Sequence, residues 1–213
     1  MKTINHLAIV IILMLFQMQT TVAQNTDIIK LPVPDRQGGK SLMQCLNDRQ
    51  SSRDFTDKVI PLQELSNILW AANGINREAI GKHTAPTAMN RQNMELYVIM
   101  PEGAYFYNDK EHSLKLIEKG NFMAKAGSQD FVKTSKLNIL IVSDMLKLGD
   151  GSIEKNNLYA GIHAGAIMQN IYLYCASAGL KTVTRASFNQ EDLAGLLKLS
   201  PDKKVILAQT VGY

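Results

Sequence analysis

Asn47-Asp48-Arg49-Gln50-Ser51-Ser52-Arg53-Asp54-Phe55 sets two arginines four residues apart with two hydroxyls between them. A guanidinium is a permanent cation whose planar fork of donors matches phosphate oxygens. Serine hydroxyls and backbone N–H groups at such a turn can complete a cradle for an anion. On these nine residues alone the plainer reading is a solvated, charged helix end. The flanking chain has to separate the two.

Upstream, Ser41 can cap a short helix through Leu46, which delivers the chain to Arg49. Residues 24–39 are polar and carry Pro32, Pro34 and Gly38-Gly39, so they read as an extended arm rather than a second domain. The first 23 residues differ. Lys2 precedes an apolar run from Leu7 to Phe16 and a small residue, Ala23, at its exit, the pattern of a secretory signal peptide. Spanning a bilayer needs ~20 apolar residues, so an uncleaved anchor is the alternative of the two. The expectation is an exported protein, periplasmic or secreted, with no membrane span in the mature chain.

Downstream, Pro61 opens a helix with Leu62, Leu65, Ile68, Leu69 and Ala72 at helical spacing, and Gly74 stands where a left-handed C-terminal residue is wanted. A polar loop from His83 to Asn93 leads into the β-prone run Glu95–Met100. Pro101-Glu102-Gly103 then predicts a turn to a partner strand at Ala104–Tyr107. Asp109 is expected to cap a helix containing Leu114, Leu116 and Ile117, ended by Gly120. Phe122 to Thr134 also reads as helical, broken at Gly127. Leu137–Val142 is nearly continuous apolar and β-branched, as in a strand buried on both faces. Glu154–Ala178 is the longest helix, apolar almost all round and ended by Gly179. His163, Gln169 and Asn170 argue against a membrane span and for close helix contact within a core or a dimer. Leu180–Val183 is extended, Asn189 caps another helix, and Lys204 to Tyr213 closes the chain as a strand. The fold class is α+β, a central, mostly antiparallel or mixed sheet flanked by helices, in one domain from residue 40 to 213.

Several functions are excluded. The 46% apolar content suits a globular core, and a net charge of +4 without a basic run does not suit nucleic acid. Cys45 and Cys175 form no framework, and the four histidines have no metal-ligand spacing. No strand-GxGxxG-helix unit and no GxxxxGK loop is present, so phosphate binding would not use those routes.

Three stretches, Arg49–Phe55, Pro86–Gln92 and Gly161–Phe188, resemble in order and spacing the nitroreductase family of FMN-dependent oxidoreductases. The resemblance runs from about Leu42 to Tyr213. It implies that Arg49, Gln50, Ser51 and Arg53 contact FMN. Arg49 and Ser51 would hold its phosphate, and Arg53 would lie by the N1–O2 edge, where a cation favours the reduced, negatively charged flavin. Pro86, Thr87, Ala88, Asn90 and Gln92 match the second motif, whose amides would meet the flavin's pyrimidine edge. Asn93 and Met94 depart from the family's proline and aromatic residue. The third motif, Gln169-Asn170 followed by Ala178-Gly179-Leu180, resembles the family's dimer-core helix. Ala186 and Ser187 align with the segment whose backbone faces flavin N5 and O4. Many relatives carry a further basic residue after the last strand, and Arg91 and Arg185 are the candidates to replace it.

The resemblance implies a homodimer with FMN at the interface and hydride passage through flavin N5. NADH, NADPH or another donor would supply it, and a nitro, quinone or other small organic acceptor would take it. No side chain is assigned as a catalytic residue and no metal is required; His163 reads as a core histidine. A non-catalytic flavin-binding protein and a peptide-azoline dehydrogenase are the alternatives.

Overall fold

The computed structural model describes residues 27–213; the expected signal segment lies outside the described residues. The strands are β1 (Ile28–Lys30), β2 (Ile75–Arg77), β3 (Lys82–His83), β4 (Met94–Met100), β5 (Gly103–Asn108), β6 (Ser113–Lys119), β7 (Leu137–Asp144), β8 (Lys181–Arg185) and β9 (Lys203–Gly212). The helices are α1 (Leu42–Asp48), α2 (Leu62–Asn73), α3 (Asp130–Thr134), α4 (Ile153–Ala178) and α5 (Gln190–Leu196).

The apolar run of β7 explains the layering. Successive side chains of a strand point to opposite faces, so a strand apolar at every position needs cover on both. Ile139 and Ile141, with Leu96 and Val98 of β4, join Leu65, Ile68 and Leu69 of α2 and Ile167 and Ile171 of α4 in one core cluster. Leu140 and Val142, with Tyr97 and Ile99, pack instead with Leu193 and Leu196 of α5 and Met123. The sheet orders its strands β1-β6-β5-β4-β7-β9-β8, and all its pairings are antiparallel. β2 and β3 form a separate two-stranded ribbon.

Four expectations are corrected. The segment Asp109–Gly120 is not a helix: Ser113–Lys119 is strand β6, held between β1 and β5. Leu114 and Leu116 fit an alternating period as well as a helical one, and the two flanking strands decide between them. The arm is not merely extended, because β1 adds to the sheet through the register Ile28↔Lys115. Phe122–Thr134 is a 3₁₀ turn at Met123–Ala126 and the single-turn α3, not one broken helix. Gly74 caps α2 in an extended conformation (φ −76°, ψ 163°); what it supplies is room, since a Cβ there would meet Trp70 at 2.5 Å.

α4 ends as expected, with Ser152 accepting from Lys155 N–H at its start and Gly179 left-handed at φ 71°. It is not buried all round. Ala160, Ala164, Ile167, Ile171 and Cys175 face the core, whereas Leu158 and Ile162 are 63% and 56% exposed. Gly161 and Gly165 share this outer side, and a Cβ on either would meet nothing within 4 Å among the described residues. No helix among the described residues is long and apolar enough to cross a membrane.

Candidate functional site

Two loops carry most of the expected cofactor contacts, and both dock on α4. Tyr172 anchors the first. Its hydroxyl accepts from Thr184 N–H at 3.0 Å and lies 2.7 Å from Ser51 Oγ. Either hydroxyl can donate in the Ser51–Tyr172 contact, which orders the Ser51 side chain. The Arg49 guanidinium stacks over the same ring at 5.3 Å from its centroid, and Ser52 N–H bonds Thr182 O at 2.9 Å. Arg49, Ser51 and the β8 end are thus brought together. Gln50 and Arg53 lie on the surface of this loop, and Arg53 has no ion-pair partner among the described residues. Ala186 and Ser187 follow β8 directly and are exposed.

Beside this loop opens a cleft of about 570 Å³ into which Lys40, Arg49 and Lys181 face. Lys40 and Lys181 are tethered to Asp48 at 2.9 Å and Asp54 at 3.3 Å. Three cations, with Ser52 and Asn47 beside them, form a donor set that suits a phosphate monoester. The residues therefore fit an FMN-type ligand. Thr184 Oγ1 is buried without a hydrogen-bond partner among the described residues and does not line this cleft.

His163 anchors the second loop. Its Nε2 accepts the Ala88 N–H at 2.8 Å, and its Nδ1 meets Asn93 Oδ1 at 2.8 Å. Asn93 passes the contact to Ser143 Oγ at 2.8 Å. Burial holds the His163 imidazole below its ordinary value, so the neutral ring these bonds need is the favoured form. The loop is conformationally costly. Met89, Asn90 and Gln92 all have left-handed φ (52°, 53° and 45°), at roughly 1–2 kcal/mol for each residue bearing a Cβ. Gln92 N–H is tied to Thr87 Oγ1 at 3.0 Å and Gln92 Nε2 to Gly81 O at 2.8 Å. Pro86, Met89 and Asn90 are exposed, with Met89 at 70%.

The two anchors stand apart. Nine positions separate His163 from Tyr172, two and a half helical turns, so the side chains leave α4 on opposite flanks, roughly 13 Å apart along its axis. The unpartnered row Leu158, Ile162, Gly165 and Gln169 runs between them. On α4 the two loops are therefore docked on opposite flanks.

Of the two candidate substitute cations, Arg185 is turned away. It is buried in the core against Ala126 O, Asn138 Oδ1 and Thr210 Oγ1, and burial alone lowers it to about 10. Arg91 reaches Lys147 O at 3.4 Å on the His163 side. Lys40 and Lys181 are the cations that accompany Arg49; Lys40 precedes the first of the three stretches, and Lys181 lies inside the third with no role implied for it. Residue type does not mark Tyr172 and His163 as anchors either: Tyr172 lies inside the third stretch without an implied contact, and His163 reads as a core histidine. Cys175 is no nucleophile, since burial pushes its thiol far up.

The class is set by the fold, an antiparallel sheet wrapped by helices with two loop anchors on the longest of them. A profile of the nitroreductase family matches residues 46–213, and the chain belongs to that family. A provisionally named nitroreductase from Methanocaldococcus jannaschii is 30% identical over 183 residues, covering 81% of this chain and 91% of that protein. The crystal structure of another, from Ralstonia eutropha JMP134, superposes with a TM-score of 0.83 at 37% identity, covering 90% of this chain and 91% of that one. An Escherichia coli microcin synthetase complex bound to a truncated precursor superposes at 0.66 with 14% identity, covering 89% of this chain and 79% of that one; this likeness is one of fold alone. Membership makes FMN-linked oxidoreductase chemistry the family-level activity.

Proposed function

We propose that this protein is a homodimeric FMN-dependent oxidoreductase whose two sites are each completed by both chains. The observation that carries the reading is the opposite placement of the two loops on α4. A second copy packed on the row Leu158, Ile162, Gly165 and Gln169 would bring a partner's Pro86–Gln92 loop toward each Arg49–Arg53 cradle. Gly165 on that row and Gly161 beside it permit close helix approach, and the exposed Leu158 and Ile162 gain burial there.

In this site Arg49, Ser51 and Lys181 hold the phosphate, Arg53 supplies positive charge along the chain toward the flavin, and the Ala186–Ser187 backbone meets the ring edge. Thr87, Ala88 and Asn90 from the partner loop close the other side. Bound FMN supplies hydride acceptance and donation at N5, between NADH, NADPH or another donor and a nitro, quinone or other small organic acceptor. The protein's part is binding, orientation and charge, and no acid–base side chain is assigned.

A visible spectrum of the purified protein, release of its cofactor, and its mass in solution test the reading together. Flavin absorbance, FMN on release and a dimer are expected; a monomer that neither retains nor rebinds FMN overturns it. Anaerobic mixing with NADH and NADPH, followed at the flavin band, then tests turnover. Export belongs to the same proposal and rests on residues 1–23; N-terminal sequencing of protein recovered from its host tests cleavage after Ala23.

A further inference from the structure

We infer that His163 is a positioning residue: its neutral imidazole latches Ala88 and so holds the Pro86–Gln92 loop in the left-handed course that presents Asn90 outward. The inference rests on the loop's flavin role proposed above, and the contact itself stands on geometry.

A backbone N–H can only donate, so the 2.8 Å contact from Ala88 obliges His163 Nε2 to carry no proton. The ring proton then sits on Nδ1, where Asn93 Oδ1 receives it at 2.8 Å. Asn93 and Ser143 are fully buried, and the relay continues between them. This chain of bonds ties the loop through α4 to the entry of β4 and to β7. His163 is 2% exposed. Three left-handed residues in four positions persist only where the surroundings over-determine them. Thr87 Oγ1, Gly81 O and the Lys147 ammonium act on Gln92, Arg91 reaches Lys147 O, and within the loop Asn90 N–H and Arg91 N–H bond Thr87 O and Ala88 O. Ala88 lies at the opposite end of the strained run, and His163 is its side-chain restraint. Asn93 acquires a role by the same argument. It departs from the family pattern that the sequence resembles, and it is the group that receives the imidazole proton.

The test compares His163→Leu, which fills the site without an acceptor, with His163→Gln, whose side-chain oxygen can still accept from Ala88. Two readouts are taken: amide hydrogen exchange in the flavin-free protein, with β7 as the internal control, and FMN affinity. ¹⁵N spectra of histidine-labelled parent protein should show His163 protonated at Nδ1. In His163→Leu, exchange at Ala88 should quicken by about tenfold and FMN should bind about tenfold more weakly, while β7 stays protected. His163→Gln should recover most of both. A His163 protonated at Nε2, or a Leu variant with the parent's Ala88 exchange, overturns the inference. If the Leu variant loses β7 protection as well, the Gln variant decides: a folded Gln variant with an unprotected loop also overturns it. A parent protein that binds no flavin overturns the function proposed above and leaves the exchange comparison intact, so the two failures are distinct.

Discussion

The Tyr172 and His163 ends of α4 hold their loops by different physics. At Tyr172 the loop is in ordinary backbone conformation, and the anchor orders charges: an aromatic face under Arg49 and a phenol that orders Ser51. At His163 the loop is strained, and the anchor offsets that strain with a buried, uncharged relay. Affinity for an anion should therefore reside at the first end, and shape at the second. Loss of the Arg49 charge at the first end should abolish retention; loss of the His163 anchor at the second should loosen binding and remove its dependence on pH.

The largest effect is expected from Arg49→Ala. Hydrogen bonds to a charged group contribute about 1.5–3 kcal/mol each, so losing a two-pronged contact should weaken FMN by about 100-fold or more. Gel filtration with detection at the flavin band should show cofactor and protein separating. Gly165→Leu comes next. A Cβ at Gly165 meets nothing within 4 Å among the described residues, so the fold should survive while the helix row is blocked. Light scattering should report a monomer, and FMN should be lost with the dimer; a flavin-bound monomer would sink the two-chain site.

Tyr172→Phe should be milder. It strips the hydrogen-bond partner from both Thr184 N–H and Ser51 Oγ, at about 1–3 kcal/mol, or roughly tenfold in the FMN Kd. Titration calorimetry against the parent checks it. The smallest effect is that of pH. His163 is held below its ordinary 6.5, so its neutral form is favoured by the folded loop. The stabilisation is fully present above pH 6.5 and is lost as pH falls toward the depressed value. The titratable group facing the ring is Tyr159 on α4, at 6.0 Å between ring centroids; the ring's hydrogen bonds go to Ala88 and Asn93. FMN affinity should fall a few-fold on acidification to about pH 5, and His163→Gln should remove that slope.

The two ends also differed in how far the sequence exposed them. Arg49 and Ser51 carry their chemistry in residue type, so their spacing was readable. The anchors were not, because Ser51 and Tyr172 are 121 positions apart and Ala88 and His163 are 75 apart. A tyrosine or histidine on an apolar helix gives no local sign of which loop it will meet. The same limit acted on the fold. β7 and α4 announced themselves by long apolar runs, whereas Leu114, Leu116 and Ile117 suit a helix until β1 and β5 supply edge partners. Gly74 was recognised as a helix end, but the clash that requires glycine comes from Trp70 and not from φ.

The central claim, that one site takes its cradle from one chain and its loop from the other, is tested most directly by mixing two inactive dimers. One carries Arg49→Ala; the other carries Asn90→Ala with Gln92→Ala. After subunit exchange, each mixed dimer should contain one site with both parts intact and one with both broken. FMN retention absent from either parent should return in the mixture, at one flavin per mixed dimer. A mixture that exchanges subunits and retains no flavin would contradict the account, since cradle and loop would then have to come from the same chain.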